Sequence, residues 1–303
     1  MNILLTGGAG FVGRHLSTQF HIKQQVVRKG EMHPYSSVYS IDTLNGTTDW
    51  DGAFTDINVI IHLAGLAHSN SFSTQEYQSV NVEGTLHLAN EAVKAGVRRF
   101  VFVSSIGVNG SLTNGTPYTF NSTPSPHNPY TQSKYDAEIG LKKISQETGL
   151  EVVIVRPTLV YGSNAPGNFG MLAKLVNKLP LLPFGLTDNK RDFIAVQNLA
   201  DLLITCANHP KAAGQSFLAS DGETVSIKEF TNAIAKGLDK TVFQLPIPVS
   251  LMLFAASLVG KSAMAEQLLG SLQVDSSNAQ EVLGWVPPYT MEQAMASLSE
   301  NKE

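Results

Sequence analysis

The sequence predicts an α/β fold: a doubly wound parallel sheet followed by a smaller, mostly helical C-terminal domain. Three observations lead there. Over residues 1–160, short apolar runs alternate with amphipathic stretches. The runs are nearly continuous in Val, Ile, Leu and Phe, as expected of strands buried on both faces of a parallel sheet. A glycine-rich turn, Thr6-Gly-Gly-Ala-Gly-Phe-Val-Gly13, stands between the first run and the first helical pattern.

The apolar runs place strands at 2–6, 24–28, 37–41, 59–63, 100–104 and 152–155. Helical spacing is clearest at 11–20, 75–95 and 130–147. Such alternation implies right-handed βαβ crossovers. After Pro157 the pattern loosens. Residues 162–168 read as a Gly/Asn/Pro loop, 178–188 as a partly extended Pro/Leu stretch, and 198–208 as a helix. From Ser220 onward short helices are expected, broken at Gly237, Pro246, Pro248, Gly260, Gly270 and Pro287-Pro288. The expected division is a first domain of 1–160 plus about 190–219 and a second of about 161–189 and 220–303.

Composition narrows the function. The chain has 303 residues, of which 43% are apolar and 15% charged, with a formal charge of −4. No basic excess points to nucleic acid or to an acidic membrane. The single cysteine, Cys206, cannot form an internal disulfide, which fits a reducing cytoplasm. It lies in the apolar helical stretch 199–207, where packing is the expected role. Residues 1–6 are apolar, but no basic region precedes them and the glycine turn cuts them short, so no secretory signal is read there. The longest apolar run, 249–260, falls short of the roughly 20 residues of a spanning helix and reads as a buried or partner-facing helix.

The glycine turn can be read as Gly8-x-Gly10-x-x-Gly13 or as Gly7-x-x-Gly10-x-x-Gly13. Glycine is needed where the backbone turns tightly and approaches a pyrophosphate, and where helix and strand pack closely. The amides and positive end of the following helix then face the anion. The turn therefore predicts a dinucleotide site of Rossmann type. The next strand ends in Arg28-Lys29. An acid there would take the ribose 2′-hydroxyl of NAD, whereas cations suit the 2′-phosphate of NADP. Arg28 and Lys29 lean toward NADP, or are solvated strand-end cations. Asp42, after the third strand, either faces the adenine or caps a turn.

Tyr130 and Lys134 lie one helical turn apart, on one face. A lysine so placed lowers the pKa of the phenol and makes it a usable acid/base. The strand before it ends in Ser104-Ser105. Strand carboxyl ends are where open α/β sheets bind ligands, and a serine there can hydrogen-bond a substrate oxygen. His62 and His68 invite a metal reading, but no ligand set of the usual spacing accompanies them, so no metal is expected. His62 reads as a buried strand-end residue.

Seven segments, in order, now point to a family: Thr6–Gly13, His62-Leu-Ala-Gly65, Asn81-Val-Glu-Gly-Thr85, Val103-Ser-Ser105, Asn128-Pro-Tyr-Thr-Gln-Ser-Lys134, Arg156-Pro-Thr-Leu-Val-Tyr-Gly162 and Arg191-Asp-Phe-Ile-Ala-Val196. With them the chain resembles the extended short-chain dehydrogenases/reductases of the nucleotide-sugar epimerase/dehydratase type. The resemblance implies that Tyr130 is the acid/base at a sugar hydroxyl or keto oxygen. Lys134 would hold the nicotinamide ribose, and Ser105 would be the Ser/Thr partner. It implies a cofactor site of Gly7, Gly10, Phe11, Val12, Gly13, Arg28, Lys29, Asp42, Leu63, Ala64, Gly65, Asn81, Ser104, Tyr130, Lys134 and Pro157. Ser105, Tyr130, Asn168 and Arg191 would bind substrate, the last two holding the diphosphate of a nucleotide sugar. The family usually has a Tyr-Gly pair where Asn109-Gly110 stands here, and Asp-Leu where Asn198-Leu199 stands.

The reaction implied is hydride transfer at a sugar carbinol, C4 of a UDP-linked hexose, with NADP or NAD. Dehydratases of the family carry Asp-Glu after the catalytic Thr. Here Ile106-Gly107 follow Ser105, which argues against dehydration. An epimerase and a 4-ketoreductase remain. Arg28 and Asn198 tilt the resemblance toward bacterial reductases of UDP-linked 6-deoxy-4-keto hexoses, which act in surface-polysaccharide synthesis. A reductase of steroid- or flavonoid-like alcohols and an inactive NAD(P)-binding regulatory protein are the other readings. A homodimer formed through 75–95 and 130–147 is also implied.

Overall fold

A computed structural model describes residues 1–67 and 72–300 of the chain. Its central sheet has seven parallel strands in the order β10-β6-β5-β4-β1-β2-β3. They are β1 (Ile3–Thr6), β2 (Gln24–Arg28), β3 (Val38–Ile41), β4 (Val59–His62), β5 (Arg99–Val103), β6 (Glu151–Pro157) and β10 (Ser216–Ala219). The central strands β1 and β4 are buried along their length, which is why their sequences are nearly continuously apolar. The first six strands lie where the apolar runs predict them. The seventh, β10, was not predicted.

Helices cover both faces. On one, α1 (Phe11–Gln19), α6 (Val196–Asn208) and α10 (Ser277–Leu283) share a core with Leu5, Ile61, Val101 and Phe217. On the other, α3 (Thr85–Lys94) and α4 (Pro129–Thr148) pack on Leu4, Ile60, Phe100 and Ile154. The chain order reverses at β1, which lies between β2 and β4, so the crevice for a ligand opens beyond the carboxyl ends of β1 and β4.

The predicted helix 75–95 is three pieces. A short α2 (Thr74–Tyr77), started by a Ser73/Glu76 capping box, runs into a π-helical stretch, Gln78–Gly84, before α3. A π turn leaves room for an inward side chain, and here it turns Asn81 inward, 1% exposed. The 3.6-residue apolar period continues across all three pieces, so spacing alone does not reveal the wide turn. Helix α4 is marked at both ends. Asn128 and Thr131 cap each other, Pro129 takes the first position, and Gly149 at φ 79° ends it.

A third core belongs to the remaining elements. A three-stranded sheet of β7 (Leu159–Tyr161), β9 (Arg191–Ala195) and β11 (Thr224–Val225) packs with α5 (Gly167–Lys178), α7 (Ile227–Gly237) and α11 (Met291–Glu300). The Phe193 and Phe230 rings stack with centroids 3.7 Å apart at its centre. Two short strands, β8 (Leu181–Leu182) and β12 (Phe243–Gln244), pair beside it, and α8 (Val249–Leu258) and α9 (Ser262–Leu269) follow. β8 falls in the stretch 178–188 that reads as partly extended, and the other short strands add β structure to a region that reads as mostly helical in sequence. Helix α10 and Trp285 return to the first core, where the Trp285 indole donates to Asp201.

Arg99, at the start of β5, is fully buried. It pairs with Glu151 at 2.7 Å, and its Nη1 donates to the carbonyls of Cys206, Ala207 and His209. It thereby caps the last turn of α6, where a cation also meets the negative end of the helix. Removing it orphans those carbonyls and one side of a partly buried pair. Arg99→Leu is expected to lower the unfolding free energy by about 3 kcal/mol in urea titration, with the slope unchanged.

Candidate active site

The glycine turn lies at the carboxyl end of β1. Gly7 has φ 72°, and a Cβ there would meet the Ala64 amide nitrogen at 2.8 Å. A Cβ on Gly13 would meet the Gly7 carbonyl at 2.2 Å, so Gly13 lets α1 pack on the turn. Gly8 is held differently: its missing Cβ makes way for the Gln25 side chain, and its carbonyl accepts from the Tyr35 hydroxyl. The spacing Gly7-x-x-Gly10-x-x-Gly13 is therefore the one that shapes the helix entry. Gly10 is the N-cap of α1, no side chain caps it, and the first turn carries no acid. Its end therefore presents amides to an anion. Phe11 packs toward the third core and Val12 toward the first.

At the end of β4, the Thr6 hydroxyl accepts from the Ala64 amide and bonds His62 Nδ1 at 2.7 Å; His62 Nε2 bonds the Thr85 hydroxyl at 2.9 Å. Burial, with Lys134 adding to it, holds the His62 imidazole down at about 3, so it is neutral. His62 is thus a buried strut between the glycine turn and α3. Among the described residues no cluster of three or more His, Cys, Asp or Glu could hold a metal. His68 lies outside the described residues. Leu63 and Ala64 pack to opposite cores. At Gly65 a Cβ would lie 2.8 Å from Asn81 Oδ1 and 3.5 Å from Lys134 Nζ. Asn81 holds the Leu66 backbone at both ends and donates to the Ser133 hydroxyl on α4.

Ser105, Tyr130 and Lys134 come together beyond β5. The Ser105 hydroxyl accepts from the Gly107 amide and hydrogen-bonds Tyr130. Lys134 Nζ donates to the Val103 carbonyl at 3.1 Å and lies 4.9 Å from the Phe102 ring centre. Burial lowers the Lys134 ammonium to about 8, with Glu138 pulling it back up. Burial pushes the Tyr130 phenol up to about 12, against the Ser105 hydrogen bond and with Tyr77 adding to the rise. This differs from the expected lowering of the phenol by Lys134. The ammonium is turned to Val103, and desolvation of the phenolate dominates.

Behind them lies a buried ion pair. Glu138 accepts from Arg156 through both carboxylate oxygens and from the Ser104 hydroxyl at 2.5 Å. Ser104 is thus committed to Glu138. Arg156 Nη1 also donates to Asn109 Oδ1 at 3.0 Å, so the residue standing for the family tyrosine is a buried brace. Glu138 was not singled out in the sequence, although it continues the 130, 134 spacing by four, and Arg156 stood only as the start of a family segment with no role of its own. Pro157 is buried at the end of β6.

The other candidates are spread out. Arg28 is exposed beside Glu31, and Lys29 pairs with Asp42 at 2.9 Å, both in solvent. Asn168 is exposed in the first turn of α5. Arg191 is buried, and its Nη1 donates to the carbonyls of Gln267 and Gly270 at the end of α9; burial lowers it to about 10. A second buried group escaped sequence reasoning. Asp221 accepts from Tyr161, the Ala195 amide and Asn198, and burial raises it to about 6. Asn198 supplies an amide donor here, where the aspartate usual in the family would meet Asp221 as a like charge. Cys206 is buried and its thiol is pushed up by burial, in keeping with a packing role.

The turn, the bare end of α1 and the glycine at position 65, which keeps a side chain away from Asn81 and Lys134, fit a dinucleotide. A doubly wound sheet carrying them at its switch point is the architecture of a Rossmann-type α/β domain. Residues 3–220 match the NAD dependent epimerase/dehydratase family, and the chain belongs to it. It is 40% identical to a UDP-glucose 4-epimerase of Vibrio cholerae, covering 96% of this chain and 92% of that one. It is 25% identical to the N-acetyl-alpha-D-glucosaminyl-diphospho-ditrans,octacis-undecaprenol 4-epimerase of Escherichia coli O157:H7, over 97% of this chain and 93% of that one. Its fold is that of the UDP-N-acetylglucosamine 4-epimerase from Bacillus cereus, with a TM-score of 0.80, 20% identity and coverage of 99% and 98%.

Burial lowers the Lys134 ammonium to about 8, which gives a test of its part in turnover. The value of kcat/KM is expected to fall as pH rises through about 8, because it reports the free enzyme. Arginine stays charged throughout, so in Lys134→Arg that alkaline limb should disappear from the pH profile, whatever the remaining rate.

Proposed function

We propose that this chain performs hydride chemistry at C4 of a UDP-linked hexose, run as a 4-epimerase with a nicotinamide dinucleotide. The observation that carries it is the convergence of Ser105, Tyr130 and Lys134 beside the crevice at the glycine turn. The identity to the Vibrio cholerae 4-epimerase, spread over nearly the whole chain, supports the substrate class.

The residues divide the work as follows. Gly7, Gly10 and Gly13 leave room for the pyrophosphate, and the end of α1 faces it. Gly65 and Asn81 line the nicotinamide end, where Lys134 holds the ribose. The nicotinamide, when bound, supplies a reversible hydride acceptor. Tyr130 takes the C4 hydroxyl proton as the C4 hydride departs, and gives it back to the keto oxygen on the return. Ser105 holds that same oxygen. The resting phenol, up at about 12, is set to donate. To accept, the phenol must first give its own proton to solvent; bringing the Lys134 ammonium toward it would lower it enough to do so, and the phenolate then takes the C4 hydroxyl proton. Asn168 and Arg191 are the diphosphate candidates that the family resemblance implies; Arg191 Nη1 is committed to Gln267 and Gly270, which leaves its other donors for that task.

A second reading, 4-ketoreductase with NADPH, is favoured by Arg28 and Lys29 at the end of β2, where NAD enzymes place an acid. One assay separates them. Protein is incubated with UDP-glucose, UDP-N-acetylglucosamine and UDP-4-keto sugars, with and without added NADPH. Interconversion of 4-epimers without added cofactor supports the epimerase; turnover of the keto sugar only with NADPH establishes the reductase. Tyr130→Phe is expected to lower kcat by about 10²–10⁴ while dinucleotide binding is kept. Unchanged turnover would remove Tyr130 from the chemistry.

A further inference from the structure

Helix α8 is the apolar run singled out in the sequence, and the fold does not bury it. None of its residues is buried. Leu251, Phe254 and Leu258 follow helical spacing along one side and are 53%, 59% and 72% exposed. Val259, in the turn to α9, is 69% exposed. Only the opposite side, with Val249, Met252 and Leu253, leans on the third core. The strand leading into it continues the pattern: Phe243 pairs in register with Leu181, and both are exposed. Apolar surface of this extent on a soluble fold marks an interaction site.

The charges say which partner fits. Residues 241–260 contain no charged side chain, and a lysine stands at each end, Lys240 and Lys261. Lys240 donates to the Asn177 carbonyl, which brings it to the end of α5, where Lys174 and Lys178 are exposed. Glu266 is the one acid between Lys240 and Gly270. A two-fold contact with a second copy would set this lysine rim against itself. An anionic lipid surface would meet the lysines with phosphates and accept the leucines and phenylalanine at the acyl boundary. The ten residues of α8 span only about 15 Å, and no helix among the described residues is long and apolar enough to cross a membrane. The helix can therefore lie in the interface but not span it.

We propose that α8 and its turn into α9 form an interfacial anchor that docks this protein on an anionic lipid bilayer. The proposal rests on this surface and not on the reaction assigned above. The chain's overall charge of −4 gives no general attraction to such a surface, so docking depends on both the local lysines and the apolar face.

Flotation of the full chain with vesicles of phosphatidylglycerol and phosphatidylethanolamine, and with phosphatidylcholine vesicles, tests it. The protein is expected to float with the anionic vesicles, less so at high salt, and not with phosphatidylcholine. The pair Phe254→Ser and Leu258→Ser should weaken binding by about tenfold or more, leaving turnover of a soluble UDP-sugar and the elution volume unchanged. Lys240→Gln with Lys261→Gln should remove most of the salt dependence. As a second measurement, a Leu258→Trp reporter should shift its emission to the blue when anionic vesicles are added. Failure to float, equal flotation of the serine variant, or an unshifted reporter would overturn the proposal. So would a wild-type dimer that the serine pair converts to monomer, because the face would then belong to a second copy.

Discussion

The ion pair of Glu138 and Arg156 is the contact on which the candidate site depends. Both side chains are almost wholly buried, 1% and 4% exposed. Removing one partner of such a pair leaves an uncompensated charge and typically costs about 3–5 kcal/mol. This pair also ties four pieces of chain together. Glu138 is on α4, Arg156 on β6, Ser104 at the end of β5, and Asn109 after the turn that follows. Tyr130 and Lys134 lie on the same helix, and Ser105 is next to Ser104. The three groups are therefore placed by one buried hinge pin, which is what a site needs if its geometry is to hold within a fraction of an ångström. Glu138 also acts through charge, since it raises the Lys134 ammonium that burial would otherwise depress further.

Much of the fold is legible in the sequence because strong local rules are at work. Strands buried on both faces need nearly continuous apolar runs, which β1, β4, β5 and the middle of β6 show. Helix α4 carries a capping residue, a first-position proline and a terminal glycine. The glycine turn is legible because no other residue fits: a Cβ at Gly7 or Gly13 would strike backbone. Strand β10 is not legible. It is only four residues, Ser-Phe-Leu-Ala, and its burial comes from β6 and from α10, far away in sequence. The π-helical stretch hides within a period that continues on either side.

The site was legible as a set of positions more than as a set of contacts. Ser105, Tyr130, Lys134, Gly65 and Asn81 do gather in one place, but their electrostatics depend on desolvation, which has no signature in residue spacing. The rise of Tyr130 and the fall of Lys134 come from that cause. Asn109 reads as a lost aromatic and turns out to brace Arg156. Asn198 reads as a departure from the family and turns out to spare Asp221 a neighbouring carboxylate. Arg191 shows the opposite limit: its charge is visible in the sequence, while its hold on the end of α9 depends on a helix some 75 residues later.

The direct measurement of the central claim is the fate of the C4 hydrogen. Hydride transfer from C4 to the nicotinamide, with Tyr130 taking the hydroxyl proton, predicts that a UDP-hexose deuterated at C4 turns over more slowly than the protiated sugar. In the epimerase reading the label returns to C4 of the product; in the reductase reading label from C4-deuterated NADPH appears there. Turnover without an isotope effect, or with the C4 label neither retained in product nor passed to the nicotinamide, would contradict hydride chemistry at this site.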